Sequence, residues 1–97
     1  MEEFIYYNDL YDIYSSLLTE TQRKYFEDYY FNNLSFSEMA EDYDVSRNAA
    51  FKQVHIVIQK LEEYEKRLRL LEKKKLLLDI ISQIKDEKIK SQLEKLI

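Results

Sequence analysis

Residues 35–54, SFSEMAEDYDVSRNAAFKQV, contain two helix starts separated by a short turn. Ser35 is followed three residues later by Glu38, the spacing of a capping box in which each side chain bonds the other residue's backbone N–H. Ser46 is the expected N-cap of the second helix. Asp44 lies where the chain must turn, and Asp tolerates left-handed backbone conformations better than most non-glycine residues. Two short capped helices joined by such a turn predict a helix-turn-helix.

The composition predicts that the whole chain is all-α. Its 97 residues include no glycine and no proline, which a β-rich chain would need for its turns. The absence of cysteine excludes disulfides and thiolate metal sites. No apolar run approaches the roughly 20 residues of a membrane span, and the acidic, interrupted N-terminal stretch is unlike a signal peptide. We therefore expect a cytoplasmic protein without membrane insertion.

Two helices are predicted before residue 35. The first spans about residues 8–18, with an apolar face formed by Leu10, Ile13, Tyr14, Leu17 and Leu18. Thr19 and Gln22 form a second capping box that opens a helix over about residues 20–31. The helical spacing of tyrosines 11, 14, 25, 29 and 30 favours a place in the core over base stacking, with the hydroxyls at the rim of the core.

The helix that begins at Arg47 carries a heptad pattern that continues through Leu71. Its members are Ala50, Val54, Val57, Leu61, Tyr64, Leu68 and Leu71. We expect a helix-turn-helix domain over residues 1–60 and a long helical extension over residues 61–97, in which Asp86 caps a last helix. Beyond Leu61 the apolar residues of this pattern lie outside the core of the small domain, so another surface must cover them. The pattern predicts a homodimer through Leu61, Tyr64, Leu68 and Leu71, with an intrachain hairpin as the alternative.

The charge is unevenly distributed, and catalytic groups are scarce. The net charge of −4 divides into −9 over residues 1–46 and +5 over residues 47–97, so the second half is the natural face for an anionic ligand. The single histidine, His55, and carboxylates in runs typical of solvated faces predict no catalytic residue. They also predict no metal site and no cofactor, and hence no enzyme.

The second helix of a helix-turn-helix lies in the major groove, where its first residues reach base edges. Arg suits guanine and Asn suits adenine, and a helix N-terminus can hold a phosphate. The candidate nucleic-acid-binding residues are Arg47, Asn48, Lys52, Ser46, Arg23 and Lys24.

The string LLTETQRKYFEDYYFNNLSFSEMAEDYDVSRNAAFKQV resembles the helix-turn-helix of sigma factor region 4. It is more closely similar to the YlxM family of small bacterial proteins, in which related segments precede a long helix ending in E-x-Y-E-x-x-L, here EEYEKRLRL at residues 62–70. The resemblance implies a sigma-like helical domain with a helical extension. It also implies an accessory or regulatory role in the signal recognition particle pathway, through contact with the particle's RNA or its GTPase.

Ser46 and Arg47 match the family's V-S-R motif, whereas Asn48 stands where Gln is usual and Phe51 where Tyr is usual. His55 and Ile56 replace a common basic pair, which removes two potential phosphate contacts from a duplex DNA interface. Two alternatives stay open: a sequence-specific DNA-binding regulator, and a protein-interaction module whose helix-turn-helix is only a scaffold.

Overall fold

The computed structural model describes residues 2–97, and within them every regular element is a helix, as the composition predicts. The elements are α1 (Glu2–Tyr14), a short 3-10 helix (Ser15–Leu17), α2 (Glu20–Tyr30), α3 (Phe36–Tyr43), α4 (Arg47–Leu68), α5 (Leu70–Ser82) and α6 (Glu87–Glu94).

The caps predicted from the sequence are confirmed. Capping boxes open α2 at Thr19 and α3 at Ser35, with reciprocal side-chain bonds of 2.9–3.1 Å. The Ser46 hydroxyl accepts from the N–H of Ala49 at the start of α4, and the Asp86 carboxylate accepts from two N–H groups at the start of α6. These local signals set where the helices begin.

The predicted bounds of the first helix are wrong. Helix α1 begins at Glu2 rather than near residue 8, and it ends at Tyr14, where the 3-10 helix takes over. One cause is contact with α4: the Tyr7 hydroxyl donates to the Glu62 carboxylate at 2.7 Å. The change of helix type turns Leu17 outward, where it is 52% exposed, while Leu18 is buried.

The buried side chains form two clusters. The α1 cluster consists of Leu10, Tyr11, Tyr14, Leu18, Phe26, Val57, Leu61 and Leu71. The turn cluster consists of Tyr25, Met39, Ala50 and Val54. The prediction of a core place for the tyrosines is confirmed for Tyr11, Tyr14 and Tyr25, which are buried. Helix α4 contributes to both clusters and so connects the helix-turn-helix to α1.

The expectation of one helix through Leu71 is wrong. Helix α4 ends at Leu68, and Arg69 adopts a left-handed conformation (φ 53°, ψ 33°) before α5 begins. Leu61 (0% exposed) and Leu71 (5%) are buried against α1 of the same chain. Tyr64 is half-buried with its ring 5.8 Å from that of Tyr14, whereas Leu68 is exposed. Leu61 and Leu71 therefore need no second copy to cover them.

Glu65 and Tyr14 hold the bend at Arg69. The Glu65 carboxylate accepts from the N–H groups of Leu71 (3.0 Å) and Glu72 (3.1 Å), and from the Tyr14 hydroxyl (2.6 Å). The Tyr14 hydroxyl oxygen accepts in turn from the N–H of Leu70 at 3.1 Å. These three N–H groups would bond to carbonyls four residues back if α4 continued. Side-chain oxygens therefore replace the backbone bonds that the bend removes.

The boundary expected between residues 60 and 61 falls inside α4. Val57 and Leu61, on either side of it, belong to the same cluster. The division into two folding units stays a prediction.

Candidate nucleic-acid interface

The corner between α3 and α4 is built by Asp44. Its positive φ (53°) lets the N–H of Val45 reach the Ala40 carbonyl at 3.0 Å, while its own N–H points to the Glu41 carbonyl at 3.4 Å. This is the bond pattern of a Schellman motif, here made without glycine. Ser46 follows at once in an extended conformation and caps α4. The turn predicted from the sequence is therefore present.

Helix α2 packs against both α3 and α4 on their buried side. The ring of Tyr43, at the end of α3, stacks on that of Tyr25 at 4.4 Å, and its hydroxyl donates to the Asp28 carboxylate. Burial, together with that hydrogen bond, raises the pKa of Tyr43, so its hydroxyl remains a donor. Met39 of α3 and Ala50 of α4 are buried in the same turn cluster as Tyr25. The orientation of α4 is thus fixed by buried contacts.

Helix α4 presents a polar face opposite its buried residues. Ala50 and Val54 point into the turn cluster, and Asn48, Lys52 and His55 lie on the opposite side at helical spacing. All three are exposed, as is Arg47 in the first turn. Side chains that could reach a nucleic acid therefore extend over the first half of α4.

An aromatic array lies beside these polar groups, on the flank of α4 that faces α3. The rings of Phe51 and His55 are 4.1 Å apart, and Phe51 meets Phe36 of α3 edge-on at 5.2 Å. Phe36 stacks on Tyr29 of α2 at 4.8 Å, and the guanidinium carbon of Arg47 lies 5.9 Å from the Phe36 ring centre. Aromatic contacts thus run from the protein interior to the exposed face.

Sequence reasoning missed this array. The signal was the spacing of Phe51 and His55, one helical turn apart on a face that was otherwise polar.

Ser46 has a structural role at this site. Its hydroxyl oxygen accepts from the Ala49 N–H at 3.0 Å, and a serine hydroxyl that accepts one bond still has a proton to donate. Ser46 is exposed beside Arg47, so a phosphate oxygen could accept that proton.

Arg23 and Lys24 lie on α2, outside the α3–turn–α4 unit. The Arg23 guanidinium donates to the carbonyls of Leu18 (2.8 Å) and Ser15 (3.3 Å), and so closes the corner between α1 and α2. Leu18 packs in the same cluster as Leu61, which is about 21 Å along α4 from Arg47. Lys24 is paired with Glu20 at 3.7 Å on an exposed face. Arg23 and Lys24 therefore have local partners within the fold, and a contact of either cation with a nucleic acid stays a prediction.

The described residues 2–97 contain no group of three His, Cys, Asp or Glu side chains arranged to hold a metal ion. Among the helices in that range, none is long and apolar enough to cross a membrane.

The helical architecture and the capped α3–turn–α4 unit define a helix-turn-helix protein. Residues 1–97 match the family UPF0122, described as "Putative helix-turn-helix protein, YlxM / p13 like". The chain belongs to this family, whose description names a helix-turn-helix protein and no enzymatic activity.

Three UPF0122 relatives show how far the similarity extends. A protein of Shouchella clausii is 53% identical over 66 residues, which cover 68% of this chain and 61% of the relative. A protein of Halalkalibacterium halodurans is 46% identical over 79 residues, covering 81% of this chain and 72% of the relative. A protein of Fusobacterium nucleatum is 37% identical over all 97 residues and 94% of its own length. The similarity to the Shouchella protein thus spans less than two thirds of that relative.

Proposed function

We propose that this chain is an accessory protein of the signal recognition particle pathway, and that it binds the particle's RNA through the first half of α4. The observation that carries the proposal is the exposed face with Arg47, Asn48 and Lys52 beside the Phe51 and His55 rings. Membership of the YlxM family and that family's link to the pathway, noted above as a resemblance, supply the choice of partner. A protein with this role works in the cytoplasm.

Charge supports a nucleic acid as the ligand of this end of α4. Residues 47–97 carry a net charge of +5 within a chain of net charge −4. Cations contribute to nucleic-acid affinity by neutralising phosphates and releasing counterions. The acidic first half repels phosphate, so the ligand is confined to the face that α4 presents.

Two features favour RNA over duplex DNA. His55 and Ile56 leave the third turn of α4 without the positive charges of a basic pair, which lowers the affinity for a long duplex backbone. The exposed rings suit the splayed bases of RNA loops and bulges, which proteins recognise by stacking.

A titration across salt concentrations tests the proposal. Wild-type protein is titrated with the particle RNA and with a duplex DNA of equal length. We expect tighter binding to the RNA, and the double variant Arg47→Gln/Lys52→Gln should reduce the dependence of log affinity on log salt by about 1.4 to 1.8. The matched control is Lys85→Gln/Lys88→Gln, which makes the same charge change on exposed residues away from α4 and should bind as wild type.

The other outcomes decide between the remaining candidates. Equal weak binding to both nucleic acids by all variants would refute the RNA role. Selection of a fixed sequence from random duplexes would assign the chain to DNA-binding regulators instead. Capture of the particle's GTPase, unaffected by the Arg47/Lys52 double variant, would favour a protein-interaction module that uses the acidic half.

We also propose a homodimer, although Leu61 and Leu71 do not form its interface, since α1 buries them. The apolar side chains that remain exposed include Leu68 on α4, and Leu76 and Ile80 one turn apart on α5. Sedimentation equilibrium of wild type and of Leu76→Gln/Ile80→Gln tests this interface. A dimer that the double variant converts to monomer supports it, and a monomeric wild type at every concentration refutes it.

A further inference from the structure

We propose that Phe51 and His55 form a stacking platform for an unpaired nucleotide base, so that the ligand of the α4 face is a looped or single-stranded nucleic acid. This inference rests on the proposed function and specifies the part of the RNA that is bound. The chemistry concerns the base and its phosphate, which a loop of RNA and a single strand of DNA share.

The position of Phe51 indicates a binding role. Its ring is 39% exposed, and its neighbours one turn away on α4 are the polar Arg47 and His55. A phenylalanine that served only the core would lie on the buried side of α4, with Ala50 and Val54. It lies instead between the core and the ligand face, with aromatic surface open to solvent.

The platform is held in place before any ligand arrives. His55 lies against Phe51 with the two ring planes 31° apart at 4.1 Å. Phe36 supports Phe51 from α3 at 5.2 Å, and Tyr29 supports Phe36 in a nearly parallel stack, with 9° between the planes. A rotamer fixed by such contacts loses little conformational entropy on binding. A base can therefore extend the stack at low cost.

Cations are placed to hold the phosphates that flank such a base. Arg47 lies one turn before Phe51 and touches the same array through Phe36, and Lys52 is exposed next to Phe51 in the chain. Proteins that bind single strands combine aromatic stacking with a positively charged path for the backbone. In a fully paired helix the bases stack on one another and their faces are closed to the platform.

Fluorescence anisotropy with three labelled probes tests the platform: an RNA hairpin with an unpaired loop, a fully paired RNA duplex of equal length, and a single-stranded DNA with the loop sequence. Phe51→Leu keeps an apolar side chain and removes the ring, and Phe51→Tyr keeps the ring. Tyr6→Leu is the matched control, since it removes a ring of similar exposure (40%) from α1. Circular dichroism melting of each variant verifies that it is folded.

We expect Phe51→Leu to weaken binding of the hairpin on the order of tenfold, and to leave binding of the paired duplex unchanged. Phe51→Tyr and Tyr6→Leu should bind the hairpin as wild type does. Single-stranded DNA that binds as tightly as the hairpin also supports the platform, with the base as the recognised group. If the DNA binds more weakly than the hairpin but its binding still depends on Phe51, the platform is supported, and the ribose is recognised in addition to the base.

A hairpin affinity that Phe51→Leu leaves intact while Arg47→Gln/Lys52→Gln reduces it would overturn the platform and leave the proposed function standing. A wild-type protein that binds none of the RNA probes, nor the particle RNA, would overturn both.

Discussion

Replacing Glu65 should remove the bend between α4 and α5. The carboxylate accepts from the Leu71 and Glu72 N–H groups and from the Tyr14 hydroxyl. A hydrogen bond to a charged group contributes about 1.5–3 kcal/mol when it is buried, and less when water can replace it. Because Glu65 is half-buried, we expect Glu65→Ala to lower the free energy of unfolding by about 2–4 kcal/mol. Glu65→Gln keeps one acceptor oxygen and should lower it by about 1–2 kcal/mol.

The pH dependence of stability provides a second readout of the same contacts. Burial raises the pKa of Glu65, but the hydrogen bonds from Tyr14, Leu71 and Glu72 outweigh it and leave the pKa below its ordinary value. The charged form is therefore the one that stabilises the fold. Its contribution is complete above the unfolded-state pKa of about 4.3, and it disappears as the pH falls through the lower folded-state value. The difference between wild type and Glu65→Gln should shrink over the same range.

Urea unfolding followed by circular dichroism measures both effects. The control is Glu63→Gln, which loses an exposed pair with Arg67 and should change the free energy of unfolding by less than about 1 kcal/mol. Spin labels at Lys52 and Asp79 report the shape, since a continuous helix would separate these positions by about 40 Å. The reasoning fails if Glu65→Ala unfolds at the same urea concentration as wild type with an unchanged label distance.

Two further substitutions test local contacts. Ser35→Ala should lower the free energy of unfolding by about 1 kcal/mol because it breaks the capping box of α3. Ser37→Ala, at the second residue of the same helix, should not. Equal urea midpoints for the two variants would contradict this prediction. Arg69→Gly should exceed Arg69→Ala in stability by about 1 kcal/mol, since only glycine adopts the left-handed conformation without steric cost; the reverse order in the same assay would indicate a helix that continues through residue 69.

The helix-turn-helix could be predicted because its determinants are local. The capping box at Ser35, the left-handed Asp44 and the cap at Ser46 lie within twelve residues, and each acts on backbone groups close to it in the chain. The exposure of Asn48 and Lys52 follows from the same helix, once Ala50 and Val54 are assigned to the core.

The bend at Arg69 could not be predicted in this way because its partners are distant in sequence. Tyr14 and Glu65 are separated by 51 positions, and the heptad pattern through Leu71 fits a long coiled-coil helix equally well. Of the apolar residues that predicted a dimer, Leu61 and Leu71 are covered by α1, whereas Leu68 is exposed. Apolar periodicity shows that a helix face is covered, but it does not identify the element that covers it.

In the candidate site, too, the features set by local sequence could be predicted, and those set by distant contacts could not. Helical spacing alone brings Arg47, Asn48 and Lys52 to one end of α4. Arg23 had the right chemistry for a phosphate contact, but its Nη1 donates to the carbonyls of Ser15 and Leu18, which holds the side chain at the corner between α1 and α2. This contact at the corner between α1 and α2 depends on the 3-10 helix, and no motif in the sequence predicted that helix.

The continuity of α4 couples its two ends thermodynamically. Ala50 and Val54 pack in the turn cluster, and Val57 and Leu61, on the next turns of the same helix, pack in the α1 cluster. The two clusters therefore cannot open independently unless α4 frays between them. A ligand at Arg47 stabilises the folded state by mass action, and that stabilisation is shared along the helix. Slower hydrogen exchange at the amide of Leu61, about 21 Å along α4 from Arg47, would then report occupancy of a site that Leu61 never touches.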